Sequence, residues 1–324
     1  MRLATIDLGS NTIHLLIAEA AAGARGWRVL EHDQLVTRLG EGLARAGALG
    51  EAPMMRTAAT VGEYVGRARA AGAGRVLIVA TSAVREASNG REFVAALEAA
   101  TGQRVSVVTG EEEARLTLRG ILHGLGALPG TVVTFDIGGG STEYLLARDG
   151  AVAVTRSLRL GVVPLAERFP FPGPVEPARY DTMRGEIAAQ LAREVPAEIR
   201  SAAVDRLVGT AGTVTALAAL DLGLARYDAA RVQGHVLTRA AVERVLAMLA
   251  ALPVSGRGAL PCLEPARADL IVPGAAIVLE TLACLRVEAL TVSDFGLREG
   301  ILADALGPPP GGSKIDRSGA GDYS

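Results

Sequence analysis

An acidic, glycine-rich segment of the chain combines a carboxylate with a turn that can expose several backbone N–H groups. It covers Val132–Ala147 (VVTFDIGGGSTEYLLA), where an apolar run leads into Asp136 and then into three glycines and a serine. The apolar runs on both sides predict two buried strands joined by this turn. Glycine permits positive φ, and successive N–H groups in such a turn form a concavity that suits phosphate. The predicted phosphate-binding residues are Gly138, Gly139, Gly140 and Ser141.

Asp136 stands at the end of the first of these strands, where its charge would repel a bound phosphate. A divalent cation between the two would remove that conflict, because hard cations bind carboxylate and phosphate oxygens together. The segment therefore predicts a metal-assisted phosphate site. A plain glycine-rich hairpin is the alternative, although hairpin turns rarely need three glycines, an acid and two hydroxyls.

The same pattern occurs near the N-terminus. Asp7–Ala18 reads DLGSNTIHLLIA and aligns with DIGGGSTEYLLA at Asp136–Ala147. Asp7 matches Asp136, Gly9 matches Gly138, and each copy continues through a hairpin into a third predicted strand. The two copies lie much further apart in the chain than neighbouring units of a solenoid do. The repeat predicts two related domains that each offer a phosphate-binding turn to a shared cleft.

Arg85 follows a predicted buried strand, Arg75–Thr81 (RVLIVAT), together with two hydroxyl side chains. Proteins of the α/β class bind ligands beyond the carboxyl ends of such strands. Arginine is suited to phosphate because its guanidinium can donate two parallel hydrogen bonds. Arg85 is therefore a phosphate-binding candidate, and a plain surface arginine is the alternative.

Glu113 is the third of three acids that begin a predicted helix at Thr109–Arg115 (TGEEEAR). Acids in a first helical turn complement the helix dipole, which explains Glu111 and Glu112. Glu113 also shares a helix face with Leu116, which belongs to the apolar stripe, so its side chain is predicted to point inward. An inward carboxylate near a phosphate site is suited to act as a general base for water.

A third glycine-rich turn, Gly209–Thr213 (GTAGT), joins a predicted strand to a predicted helix of alanine and leucine. The N-terminus of a helix after such a turn suits a phosphate or nucleotide group. The candidate residues here are Gly209, Thr210, Gly212 and Thr213.

Composition predicts a globular protein, large enough for two domains, in a reducing compartment. The chain has 324 residues, 49% hydrophobic and 21% charged, with a net charge of −2, which gives no basic field for nucleic acid. Cys262 and Cys284 fit no metal-ligand spacing. No signal peptide or membrane span is recognisable, so the cytoplasm is the expected location.

Glycine and proline between 119 and 131 predict a domain boundary. The expected organisation is a first domain of residues 1–125 completed by a closing helix at 296–306, a second domain of residues 126–295, and a disordered tail at 307–324. Within the second domain the pattern predicts one long helix over Arg179–Arg200 and an irregular crossover over Ser255–Arg267.

Taken together, these segments resemble the exopolyphosphatase and guanosine pentaphosphate phosphohydrolase (Ppx/GppA) family of the sugar kinase/Hsp70/actin superfamily. The matching motifs occur in family order over residues 1–306. They are IDLGSNTIHLLI (Ile6–Ile17), TSAVREA (Thr81–Ala87), TGEEEARL (Thr109–Leu116), DIGGGSTE (Asp136–Glu143), GTAGTVTALAAL (Gly209–Leu220), RADLIVPG (Arg267–Gly274) and SDFGLREGIL (Ser293–Leu302).

The resemblance implies an α/β fold of two actin-like (ribonuclease H-like) domains that flank an active-site cleft. It also implies hydrolysis of the terminal phosphoryl group of inorganic polyphosphate, or of the 5′ γ-phosphate of pppGpp, with Mg²⁺ or Mn²⁺. A homodimer is expected from the family. Longer family members continue into a helical region that holds long polyphosphate, so this chain is expected to prefer short polyphosphate.

The resemblance also assigns roles residue by residue. Glu113 matches the catalytic glutamate that activates water, and Asp136 and Glu143 match acidic residues of the metal and phosphate site. Asp7 joins them as an expected metal ligand. The matching phosphate-binding residues are Asp7, Gly9, Ser10, Asn11, Arg85 and Gly138–Ser141.

Three other functions compete with hydrolysis. A non-catalytic (p)ppGpp sensor on the same fold could lose Glu113 and both aspartate turns, yet all are present. A sugar- or acetate-kinase-like phosphotransferase would need an acceptor pocket with an aspartate base, for which the sequence shows no motif. An actin-like filament would need a polymer contact surface, which sequence shows poorly.

Overall fold

The computed structural model describes residues 1–20 and 26–307, which build two α/β halves, each on its own mixed sheet. Residues 21–25, in the predicted hairpin after the first acidic turn, and residues 308–324 of the tail predicted at 307–324 lie outside the described residues. The strands of the first half are β1 (Arg2–Leu8), β2 (Thr12–Ala20), β3 (Trp27–Val36), β4 (Arg75–Ala80) and β5 (Val105–Val107). Those of the second half are β6 (Thr131–Ile137), β7 (Thr142–Arg148), β8 (Ala151–Leu158), β9 (Arg206–Thr210), β10 (Val236–Thr238) and β11 (Ala289–Val292).

The two sheets repeat one topology. The first has the order β3-β2-β1-β4-β5 and the second the order β10-β11-β9-β6-β7-β8. In each, an antiparallel meander of three strands (β1 to β3, β6 to β8) is extended by a parallel strand beside its first member. Even the irregularities correspond: the pairing shifts register between Ile17 and Ala18 and again between Leu146 and Ala147, which are the aligned positions of the second copy. The sequence repeat is therefore a structural repeat.

Helices cover the faces of both sheets. The helices before β6 are α1 (Leu43–Ala46), α2 (Glu51–Ala70), α3 (Ser82–Glu86), α4 (Gly90–Thr101) and α5 (Gly110–Leu125), and α5 packs against β7 and β8 of the second sheet. Those that follow are α6 (Val162–Arg168), α7 (Pro177–Glu194), α8 (Ala197–Arg200), α9 (Ala211–Asp221), α10 (Ala229–Val232), α11 (Arg239–Ala250), α12 (Val254–Gly258), a 3₁₀ turn (Pro265–Arg267), α13 (Ile271–Leu285) and α14 (Leu297–Leu306).

Each half has its own hydrophobic core. In the first half, apolar side chains of β1, β2 and β4 pack against α2 and α4. In the second half, the apolar helix α13 packs with α7, α9 and α11 against the sheet. Continuous apolar strands such as Leu145–Ala147 are buried on both faces, as expected where helices cover both sides of a sheet.

Two helices, α5 and α14, cross tightly where the halves meet. A Cβ on Gly120 would overlap the backbone oxygen of Gly296, and one on Gly300 would overlap the backbone oxygen of Leu116. Glycine is needed at these positions because only a residue without a side chain lets two backbones approach so closely. The crossing fixes α5, which carries Glu113, against the segment that returns the chain to the first sheet.

Some predicted elements are wrong in detail. The helix predicted over Arg179–Arg200 is two helices, α7 and α8, because Pro196 cannot continue a helical hydrogen-bond ladder. The crossover predicted over Ser255–Arg267 contains α12 and a 3₁₀ turn, and the sequence pattern did not reveal α10 or β10. These short elements have too few residues for a clear period. The predicted domain limits at 125/126 and 295/296 stay a prediction.

Within the part of the chain that the structure describes, no helix is long and apolar enough to cross a bilayer. Cys262 and Cys284 are both half-buried and unpaired there, and Cys262 lies on the wall of the large cleft described below.

Candidate active site

A cavity of about 1270 Å³ separates the two halves, and the acidic glycine turns of both halves line it. Asp7 lies near the carboxyl end of β1, and Asp136 lies at the corresponding position of β6. The GTAGT turn and Glu113 line the same cavity. The carboxyl ends of parallel strands are the usual ligand edge of an open α/β sheet, so the repeat brings two such edges together.

The two acidic turns are built alike. The Gly9 N–H donates to the Thr12 carbonyl at 3.1 Å, and the Gly138 N–H donates to the Ser141 carbonyl at 2.9 Å. These two pairs occupy the same positions when the two segments are aligned. Both closed turns line the cleft, and a turn of this kind can present its remaining N–H groups to an anion.

The turns also touch each other across the cleft floor. A Cβ on Gly139 would lie 2.8 Å from the Asn11 nitrogen, and one on Gly140 would lie 2.8 Å from Ser10 Oγ and 2.6 Å from Ser82 Oγ. The Ser10 hydroxyl in turn accepts a hydrogen bond from the Ala83 N–H at 3.1 Å. Gly139 and Gly140 therefore serve close approach between the two turns, which a plain hairpin would not need.

Glu113 lies in the first turn of α5 and is buried, as its position on the apolar stripe predicted. Thr109 caps this helix by accepting from the Glu112 N–H. Arg85 Nη1 donates to Glu113 Oε2 at 3.1 Å and to the Val108 carbonyl at 2.8 Å. Arg85 therefore holds the glutamate in place, a role that the sequence pattern did not reveal.

Four carboxyl groups of the cleft have raised pKa values. Burial, with a smaller contribution from Asp136, raises the pKa of Asp7 to about 7, and burial raises that of Asp136 itself to about 6. Burial and the charge of Asp136 raise the pKa of Glu143 to about 7. Burial and then the charge of Glu143 raise the pKa of Glu113 well above its usual value, although Arg85 opposes this. Too little positive charge surrounds these four carboxyl groups for all of them to be ionised at the same time.

His14 and Glu143 occupy equivalent positions in the two halves. Asp7 pairs with His14 across β1 and β2, and Asp136 pairs with Glu143 across β6 and β7. Burial, together with the charge of Arg298 and Arg267, lowers the pKa of His14 well below its usual value, so the imidazole is neutral. At these matched positions the second half therefore has two carboxylates where the first has one carboxylate and an imidazole, and Asp7, His14 and Asp136 line the cleft itself.

The cluster can accept a divalent cation, although it does not enclose one. Asp7 Oδ1 and Glu143 Oε2 are buried and have no hydrogen-bond partner among residues 1–20 and 26–307. In those same ranges, no three His, Cys, Asp or Glu side chains come close enough to hold a metal ion by themselves. Mg²⁺ usually takes one or two carboxylates and completes its shell with water and substrate phosphate, so the residues present fit that ion.

Arg267 crosses from the second half to the first beside the GTAGT turn. Its Nη2 lies 3.1 Å from Thr12 Oγ1, and its guanidinium fills the space that a Cβ on Gly212 would need. Thr210 Oγ1 donates to the Phe295 carbonyl at 3.1 Å, and Thr213 packs against Gly274. The turn therefore lies at the cleft, its phosphate binding stays a prediction, and beside it stands an arginine whose role the sequence pattern did not reveal.

A second arginine joins the halves outside the cavity. Arg38 donates to both carboxylate oxygens of Asp269 at 2.8 and 2.9 Å and to the Ala266 carbonyl at 2.8 Å. Its backbone N–H donates to the Asn11 carbonyl at 2.9 Å, so the pair is linked to the first acidic turn. Bidentate arginine–carboxylate pairs are geometrically specific. This pair fixes the distance between the first turn and the segment that carries Arg267.

The substitution Asp7→Asn is expected to stabilise the metal-free protein at pH 8. A pKa of about 7 in the folded state, against 3.8 for a free side chain, gives stability that is complete below about pH 4 and lost as pH rises through 7. Full burial would make that loss about 4 kcal/mol, and the partial exposure of Asp7 lowers our expectation to about 1–3 kcal/mol. Urea unfolding at pH 8 and pH 4.5 measures it. An equal effect of the substitution at both values would contradict the assignment.

Comparison with known proteins agrees with the geometry. Residues 16–308 match the profile of the Ppx/GppA phosphatase family. The chain is 35% identical to Exopolyphosphatase 2 of Mycobacterium tuberculosis over 320 residues, covering 94% of this chain and 99% of that protein. It is 29% identical to the guanosine-5'-triphosphate,3'-diphosphate pyrophosphatase of Pseudoalteromonas translucida, covering 94% of this chain and 59% of that protein.

A solved structure gives the same result for the fold. The crystal structure of an exopolyphosphatase from Cytophaga hutchinsonii superposes with a TM-score of 0.87 at 25% identity, covering 94% of this chain and 98% of that one. The predicted fold class, α/β with two actin-like, ribonuclease H-like halves around a cleft, is confirmed.

Proposed function

The chain belongs to the Ppx/GppA phosphatase family and is a phosphoanhydride hydrolase, and from this premise we propose that it removes the terminal phosphoryl group of short inorganic polyphosphate. One observation carries the proposal. Glu113, buried and held by Arg85, faces a cleft floor made of two matched turns whose N–H groups suit phosphate. A phosphoryl group bound to the turns would lie next to the Glu113 carboxylate.

In the proposed mechanism Glu113 takes the proton of the attacking water. A general base works best when its pKa is near the working pH, and burial moves the pKa of Glu113 in that direction. Arg85 keeps the carboxylate oriented, and the turns at Gly9–Asn11 and Gly138–Ser141 stabilise the charge on the equatorial oxygens of the transferred group. The proposed contribution of the GTAGT turn and Arg267 is to hold the next phosphates of the chain.

One or two of the three predicted ligands, Asp136, Glu143 and Asp7, would hold Mg²⁺ or Mn²⁺, with water and substrate phosphate completing the shell. The two unpartnered buried oxygens of Asp7 and Glu143 support this assignment. When bound, the cation neutralises charge on the phosphate oxygens and lets a polyanion approach a cluster of carboxylates. The proposal thereby explains why Asp7, Glu113 and Asp136 line a cleft for an anionic substrate.

Hydrolysis of pppGpp to ppGpp is the second candidate. The pyrophosphatase relative supports it, and the chain spans 59% of the length of that protein. The exopolyphosphatase relative supports polyphosphate, since the chain covers 99% of it. A sensor that binds (p)ppGpp without hydrolysis is the third candidate.

Phosphate release from short polyphosphate, long polyphosphate and pppGpp, each with Mg²⁺, tests the proposal. We expect release from short polyphosphate with the highest kcat/KM of the three. Release from pppGpp alone would show that the substrate is the nucleotide and not polyphosphate. Release from none of them, with pppGpp or ppGpp still bound in calorimetry, would favour the sensor. Processive degradation of long chains would contradict the preference for short ones.

The proposal includes a homodimer that works in the cytoplasm. The family resemblance supports the dimer, and unpaired, half-buried cysteines are compatible with a reducing compartment. Sedimentation equilibrium gives the mass of the assembly, and a monomer at micromolar concentration would contradict it.

A further inference from the structure

The two carboxylate oxygens of Glu143 have different surroundings. Oε1 accepts a hydrogen bond from Ser157 Oγ at 2.7 Å, whereas Oε2 is buried and has no partner in the described chain. Ser157 stands directly opposite Glu143 in the antiparallel pair of β7 and β8. The pairing of the strands therefore sets the position of the hydroxyl relative to the carboxylate.

Ser157 is also packed against the start of α5, the helix that carries Glu113. A Cβ on Gly110 would overlap the Ser157 Cβ and would lie 2.7 Å from its Oγ. Gly110 is the first residue of α5, where glycine brings no advantage to the helix itself. The glycine therefore leaves the space in which the Ser157 side chain can stand and reach Glu143.

We propose that Ser157 is a positioning residue that occupies one oxygen of Glu143 and so presents the other, Oε2, to the divalent cation, and that Gly110 leaves the room this hydroxyl needs. This inference rests on the proposed function, because it concerns the cation of the same site. Ser157 does not touch the substrate; it acts through Glu143.

The effect follows from the hydrogen bond. A hydroxyl that donates to an ionised carboxylate makes a short, strong bond, and this one also restricts the side-chain torsions of Glu143. Without it, both oxygens lack a partner and the carboxylate can rotate away from the cation. Outer partners of metal ligands are typically worth about 10- to 100-fold in metal affinity.

The experiment compares Ser157→Ala with Thr155→Ala, using Mn²⁺ alone as the probe. Thr155 lies on the same face of β8, where it stands opposite Leu145 and not opposite a carboxylate. Electron paramagnetic resonance of free Mn²⁺ gives the affinity without substrate. We expect binding about 10- to 100-fold weaker for Ser157→Ala and unchanged for Thr155→Ala.

Kinetics provide a second readout. With the best substrate of the panel, Ser157→Ala should need about 10- to 100-fold more Mg²⁺ for half-maximal rate, and saturating Mg²⁺ should restore kcat with KM for the substrate near wild type. A loss of kcat that Mg²⁺ cannot restore overturns the proposal, because it would indicate general structural damage.

Gly110→Ala is the second variant, made in a different element. Its methyl group would overlap the Ser157 Cβ, which side-chain rotation cannot move, so the start of α5 and β8 must separate; this should draw the Ser157 hydroxyl away from Glu143 and reproduce the weaker Mn²⁺ binding. Wild-type Mn²⁺ affinity in Ser157→Ala or in Gly110→Ala overturns the inference.

The same assays distinguish this failure from failure of the proposed function. If the wild-type protein hydrolyses its substrate and binds Mn²⁺ but Ser157→Ala binds it equally well, only the role of Ser157 is overturned. If the wild-type protein neither binds Mn²⁺ nor releases phosphate, the proposed function and this inference are both overturned.

Discussion

Glu113→Gln is expected to lower kcat by about 10²- to 10⁴-fold while KM changes little. Glutamine keeps the shape of the side chain and can still meet the Arg85 guanidinium through its carbonyl oxygen. It cannot accept the proton of an attacking water, so the loss appears in the chemical step. Initial rates of phosphate release over a range of substrate concentrations measure both constants.

Glu112→Gln is the matched control, because Glu112 lies in the same helical turn and is exposed. We expect its kcat to stay within about twofold of wild type, since surface carboxylates away from the cleft contribute little. Equal losses of kcat in the two variants would show that catalysis depends on the negative charge at the start of α5 and not on a general base. A Glu113→Gln protein with wild-type kcat would remove Glu113 from the mechanism.

Gly300→Ala is expected to destabilise the fold strongly, although it adds only one methyl group. The added Cβ would overlap the backbone oxygen of Leu116, and backbone cannot move aside as a side-chain end can. Overpacking of this kind costs about 3 kcal/mol or more when helices must separate. Urea unfolding at pH 7 measures the loss of stability. The variant should also lose activity, because Glu113 lies one turn before Leu116 on α5 and would move with it.

Gly66→Ala provides the control, since Gly66 lies inside α2 and no described atom outside its own helical turn lies within 4 Å of the added Cβ. Alanine at an exposed helical position should raise the free energy of unfolding by about 0.5–1 kcal/mol. Stability equal to wild type in Gly300→Ala would mean that the crossing of α5 and α14 can widen freely.

The sequence was informative where the chemistry is local. Each acidic turn lies within one short segment of the chain, so Asp7, Gly9, Asp136 and Gly138 could be aligned without any structure. The direction of Glu113 followed from helical spacing because Leu116 lies on the next turn of the same face. The whole motif set then predicted the fold class, which both the sheet topology and the structural relatives confirm.

The rest depends on contacts between residues far apart in the chain. Arg38 meets Asp269 across 231 residues, and Arg267 meets Thr12 across 255 residues. No spacing rule relates such positions, and an arginine in a motif looks the same whether it binds a phosphate or another part of the protein. The alignment of the two segments places His14 opposite Glu143, but the different chemistry of the two side chains gave no reason to expect both at the site.

Trp27 gives the molecule a built-in optical reporter. It is the single tryptophan of the sequence, and its indole stacks on the His123 imidazole at 3.8 Å between ring centres with 11° between the planes. Phe295, just before α14, lies 5.9 Å beyond His123. The three rings belong to the edge of the first sheet, the end of α5 and the approach to α14. Any rotation of one half against the other alters this stack, so the emission of one native fluorophore registers opening of the cleft without a label.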